Sequence, residues 1–149
     1  MRFVFRLETP LRLARHAEDR ARRELGFAVA ALESRKQELQ SLRDELESET
    51  RAQEAPRSGE IWIQGQNLFL DWTRGQRDRI RQGHREVEEA EAAVARARAV
   101  LVEKKRGVEV LERLRERRYA QWKLERSRKE LAEGSDVAGR RWMAQRREA

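Results

Sequence analysis

Cysteine is absent from this 149-residue chain, and proline occurs only twice. Without thiols there is no disulfide and no thiolate metal site, so a reducing compartment is permitted but not required. Histidine is limited to His16 and His84. Neither has a second His or Cys at a spacing that would hold a metal. No run of 18 apolar residues exists, so no segment reads as membrane-spanning. Met1 to Leu13 carries arginines but no continuous apolar centre, which excludes a secretory signal reading. No nucleophile elbow, phosphate loop or dinucleotide fingerprint is present. The sequence offers no seat for chemistry and no cofactor, and the expectation is a non-enzymatic protein.

What is there is charge and regular leucine. Charged residues make up 41% and hydrophobic residues 38% of the chain. So much charge alone would suit a disordered chain. The spacing of the apolar residues argues otherwise. One series runs Leu11, Leu25, Leu32, Leu39, Leu46, with Leu7, Ala14, Ala21, Ala28 and Leu42 as its companion stripe. A second runs Ile80, Val87, Val94, Leu101, Val108, with Ala90, Ala97 and Leu111 beside it. An apolar seam that repeats every 3.5 residues on average winds two helices around each other. A single proline–glycine break separates the two series, so the chain is expected to fold back on itself. The predicted fold is all-α: two long helices forming an antiparallel coiled-coil hairpin, with the second helix overhanging. A rod of this kind encloses no pocket, which points to contact with other proteins rather than catalysis.

The boundaries are set by the breakers. Residues 1–6 alternate apolar and polar and read as an extended lead-in. Thr9 suits an N-cap with Pro10 at the first helical position. Helix one is expected over about 8–53, with Glu18 and Arg35 as polar residues in its seam. The reversal falls at 54–60, where Pro56 stops the helix, Gly59 relaxes the backbone and Ser58 can cap the second helix. Helix two is expected from about 60 to 133, where Gly134-Ser135-Asp136 interrupts it and leaves a tail over 134–149. The whole reads as one coiled-coil rod.

Length and charge then single out one end. Helix one, about 47 residues and roughly 70 Å long, can pair with helix two only to about residue 107. The overhang beyond Val108 still carries Leu111, Leu114, Tyr119, Trp122, Leu124 and Leu131, which need cover from a partner. Residues 1–23 carry seven Arg against three acids, and residues 108–149 carry twelve Lys or Arg against eight acids. In a hairpin these two ends meet, giving an electropositive pole. Pairs such as Glu109 with Arg113 are ordinary helix-surface support.

Two aromatic groups stand out. Trp62, Leu68, Phe69 and Trp72 come just after the reversal. They read either as a plug for the end of the hairpin or as a partner-binding face, with Leu68 and Trp72 exposed and Leu42 or Glu45 opposite on helix one. Tyr119, Trp122 and Trp142 lie among arginines. Such mixing can stack on single-stranded nucleic acid. The interspersed acids weigh against that, since phosphate binders keep one face free of acid.

The opening Phe3-Val-Phe-Arg-Leu-Glu-Thr-Pro-Leu-Arg-Leu-Ala-Arg, with Glu18 and Leu25, resembles the start of the FliJ-type proteins of bacterial flagellar export. The stretch Leu101-Val-Glu-Lys-Lys-Arg-Gly-Val-Glu-Val-Leu-Glu-Arg-Leu-Arg-Glu-Arg-Arg-Tyr-Ala-Gln-Trp resembles their C-terminal signature, and coiled coils of virulence-type secretion systems share the pattern. The resemblance implies a two-helix antiparallel coiled coil similar to the central stalk of rotary ATPases. It implies two principal partners, the hexameric export ATPase and the cytoplasmic domain of the export gate membrane protein, with export chaperones as further cargo. It places the protein in the cytoplasm, peripherally at the inner membrane. Carried onto this sequence, Arg113, Arg117, Arg118, Tyr119 and Trp122 would meet the ATPase ring, and Leu42, Glu45, Leu68 and Trp72 would meet the gate. Gly134-Ser-Asp-Val stands where the family commonly shows an acidic pair.

Overall fold

The computed structural model describes residues 2–54 and 60–148, without the side chains of 60–62 and 148. The fold is all-α, with two long helices packed against each other. Helix α1 spans Glu8–Gln53 and helix α2 spans Glu60–Glu148. The expected reversal with Pro56, Ser58 and Gly59, and the side chain of Trp62, lie outside the described residues.

Helix α1 begins two residues earlier than Thr9 as N-cap would place it. The Leu11 amide donates to the Leu7 carbonyl at 2.9 Å, so Leu7 is the capping residue and Pro10 is the third helical residue. Its missing N–H is still one of the first four that no helical carbonyl accepts, so the proline costs the helix nothing there. The Glu8 carboxylate sits in the first turn against the positive helix end.

Helix α2 runs without interruption through Gly134-Ser135-Asp136, where a break was expected. None of the three lacks an amide hydrogen, and a single glycine costs a helix only about 1 kcal/mol. The flanking residues, Glu130 to Glu133 and Arg140 to Arg147, are mostly strong helix formers, and no proline comes after them to stop the chain.

Contacts divide the chain into two compact units, residues 1–18 with 104–149 and residues 19–103. Within the first, Phe5, Leu11 and Val108 form the buried cluster, with Phe3, Ala14, Leu111 and Leu114 packed around it. Leu11 is fully buried, worth about 2 kcal/mol of transfer free energy. Helix direction is read from the ion pairs Arg15 to Glu112 at 2.8 Å and Glu8 to Arg115 at 3.5 Å. The later residue on α1 meets the earlier one on α2, which is antiparallel pairing.

In the second unit the seam is built as the heptads require. Ala21, Leu39 and Val94 are buried, and Leu25, Ala28, Leu32, Leu42, Leu46, Ile80, Val87, Ala90, Ala97 and Leu101 are half-buried. Only Leu7, 37% exposed, departs from its expected stripe, because it precedes the helix. Arg35, at a seam position, keeps its guanidinium in solvent and reaches Glu38 at 2.9 Å and Glu86 of α2 at 3.1 Å. The hydrogen bond it donates to Glu38, then the charges of Glu38 and Glu86, hold its pKa above the ordinary arginine value. Its long stem can lie over the seam while the charge stays wet. A Cβ on Gly83 would stand 3.1 Å from Leu39 Cδ1, so the glycine is what lets α2 approach Leu39 this closely.

Candidate functional site

The lead-in changes where α2 becomes bare. Pairing was expected to stop near residue 107, yet the aromatic cluster of the first unit lies well beyond it. The lead-in runs over residues 2–5 and then turns into α1 at Arg6 and Leu7, where the Glu8 amide donates to the Phe5 carbonyl at 3.1 Å. Leu7 and Leu114 line the same groove, and from there the lead-in carries Phe3 to Trp122. The Phe3 ring meets Tyr119 edge-on at 5.3 Å and Trp122 at 5.8 Å, and Tyr119 and Trp122 stack at 5.8 Å. Phe5 turns inward beneath them, while Val4, 77% exposed, faces solvent. The side chains alternate over residues 2–5: Phe3 and Phe5 face the helix, while Arg2 and Val4 are exposed.

Arginines surround this cluster. Arg126 lies over the Trp122 ring at 5.6 Å and pairs with Glu130 at 2.7 Å. Arg113 reaches Glu109 at 3.8 Å. Arg117 donates only to the Arg113 carbonyl, at 3.4 Å. Arg118 lines the groove with Phe3, Arg6 and Trp122. Neither Arg117 nor Arg118 has an ion-pair partner among the described residues. The first unit holds nineteen Lys or Arg against ten Asp or Glu, and the second fifteen against seventeen. The positive charge therefore belongs to the unit that carries the aromatic cluster. The five residues expected there, Arg113, Arg117, Arg118, Tyr119 and Trp122, fall within ten positions of one helix, and of them only Arg113 has an acid partner among the described residues. Phe3, which assembles the cluster, was not singled out from the sequence as a site residue, although its alternation with Val4 and Phe5 was visible.

The second candidate surface is less concentrated. Trp72 is half-buried and stacks on Phe69 at 5.7 Å, while Leu68 is 72% exposed. Glu45 is exposed and Leu42 half-buried. Leu42 lines a shallow groove with Arg35, Glu38, Leu39, Arg79, Gln82, Gly83 and Glu86. The nearest of these on α2, Arg79, is seven residues from Trp72, or about 10 Å along the axis. Leu42 and Trp72 thus belong to neighbouring stretches of the second unit rather than to one contact pair. Between them lies a polar layer: Thr73 and Gln76 are buried, and the Gln76 Nε2 has no hydrogen-bond partner among the described residues. Nearby, Arg43 and His84 bridge the two helices at 2.7 Å.

Among the described residues no group of three His, Cys, Asp or Glu converges to hold a metal. No described helix is long and apolar enough to cross a membrane. His16 and His84 are both exposed.

Seam, charge and exposed aromatics define a coiled-coil protein. The flagellar FliJ protein family matches over residues 3–147, nearly the whole chain, and the chain belongs to that family. It is accordingly a protein associated with flagellar export. No match is found among curated proteins, and none among solved structures.

Proposed function

We propose that this chain is a non-enzymatic, central-stalk-like component of the flagellar type III export apparatus, linking the hexameric export ATPase to the membrane export gate. The observation that carries the reading is the concentration of positive charge and aromatic surface in one unit. Arg117, Arg118, Tyr119 and Trp122 make a cationic, aromatic contact of the kind that anchors protein interfaces. In this reading they meet the ATPase ring, with Arg113 beside them. A single two-helix stalk cannot contact six subunits equally, so it biases which subunits assemble or turn over.

The gate contact uses the second unit. Leu68 is exposed and Trp72 offers one ring face beside it, while Leu42 and Glu45 lie further along α1. These side chains meet the cytoplasmic domain of the gate protein, and export chaperones travel with the chain. The protein then works in the cytoplasm at the inner face of the membrane. A nucleic-acid role is disfavoured by the acids mixed into the basic stretch. Two binding assays with the purified chain separate the two contacts. Trp72→Ala is expected to weaken binding to the gate domain about tenfold or more while leaving ATPase binding and helicity unchanged. A fall in helicity with the substitution would make Trp72 a packing residue and remove it from the gate surface.

A further inference from the structure

We propose that α2 residues 123–147 form an in-plane anchor for an anionic membrane surface. The proposal stands on this segment alone and does not depend on the ATPase or gate contacts. Every residue from Lys123 to Arg147 is exposed, so neither α1 nor the lead-in covers it. Leu124, Leu131, Ala138 and Trp142 succeed one another at intervals of seven, seven and four, which aligns them on one face of a helix. Leu124, Leu131 and Trp142 are 54%, 72% and 55% exposed.

Acid is sorted around this stripe. At 3.6 residues per turn, the half of the helix centred on it carries Lys123, Arg128, Arg141 and Arg146 and no acid. The four acids of the segment, Glu125, Glu130, Glu133 and Asp136, all fall on the opposite half, together with Arg126, Lys129, Arg140 and Arg147. An apolar stripe with a tryptophan, flanked on both sides by bases, matches the boundary between acyl chains and phosphate headgroups. Arg146 sits 4.3 Å over the Trp142 ring. The arginine can reach a lipid phosphate while the indole, an interfacial side chain, settles beneath it. A second copy of the same face is a poorer cover, because it would bring base against base on both flanks. The stripe is too narrow to span a bilayer, consistent with the lack of any described helix long and apolar enough to cross one.

The test uses the full chain and sedimentation with vesicles of phosphatidylcholine, alone or with phosphatidylglycerol. Binding is expected to rise about tenfold or more when about 30% anionic lipid is present, and to fall as salt is added. Replacing Leu131→Gln together with Trp142→Gln is expected to lower binding about tenfold. Val137→Gln together with Met143→Gln, on the acidic half, should leave it intact. All four positions are exposed, so thermal unfolding should not move with either pair. Absence of binding, equal binding to neutral vesicles, or equal losses from both pairs would overturn the proposal. So would a dimer in solution that the Leu131 and Trp142 substitutions dissolve, or displacement of the vesicles by a stoichiometric amount of single-stranded oligonucleotide.

Discussion

Phe3 and Tyr119 meet edge to face with their ring centres 5.3 Å apart, across 116 positions of sequence. The contact ties the lead-in to the far part of α2 and holds Trp122 in a cluster of three rings. It also converts a short extended segment into a structural part of the basic unit.

Replacing Phe3→Ala should therefore cost about 2 kcal/mol, from the lost aromatic pairing and burial. Near-ultraviolet circular dichroism should lose aromatic signal, while far-ultraviolet helicity stays close to the parent. An unchanged near-ultraviolet spectrum would mean that Tyr119 and Trp122 hold their places without the lead-in.

Reversing the charges of Arg113, Arg117 and Arg118 with glutamate should weaken binding to the export ATPase about tenfold or more at low salt, and the gap should narrow as salt screens the contact. None of the three is buried, so the unfolding midpoint should hardly move. Unchanged affinity at low salt would dissociate these arginines from the ring contact.

Gln76 is only 2% exposed and leaves its amide nitrogen unpaired among the described residues. An unmet buried donor costs roughly 1–3 kcal/mol. Gln76→Leu keeps the volume and removes that donor, together with the bond that Gln76 Oε1 accepts from the exposed Arg79 at 3.2 Å, so it should raise stability by about 1 kcal/mol in urea unfolding. A loss of stability would show that the Arg79 bond outweighs the unpaired amide.

Two helical glycines should respond in opposite directions. A Cβ on Gly83 meets Leu39, whereas one on Gly107 meets nothing within 4 Å. Gly107→Ala should stabilise by about 0.5–1 kcal/mol through helix propensity alone. Gly83→Val pushes branched methyls into a buried leucine and should destabilise by about 1–3 kcal/mol. Equal effects at the two sites would mean the helices are not in close contact at Leu39.

The helices and their seam were legible because one interaction sets them. Leu11, Leu39, Val94 and Val108 repeat at the coiled-coil period, and all four are buried. Local chemistry was harder to weigh against that pattern. Gly134-Ser135-Asp136 carries break signals, but their cost is small beside the helix formers on either side. Pro10 marked the helix start and missed it by two residues, since any of the first positions tolerates a missing amide hydrogen. The reach of the lead-in was hidden for a different reason. Alternation in Phe3, Val4 and Phe5 announces an extended segment but not what it lies against, and only pairing in three dimensions brings it to Tyr119 and Trp122. The same holds for Leu42 and Trp72, whose separation along the helix axis depends on register that no single helix encodes.

The most direct measurement is ATP turnover by the purified export ATPase, with ring formation monitored in parallel, as this chain is added. Stimulated hydrolysis together with hexamer assembly, both diminished by the Arg113, Arg117 and Arg118 reversal, is the predicted result. A folded chain that neither binds the ATPase nor changes its turnover would contradict the stalk role.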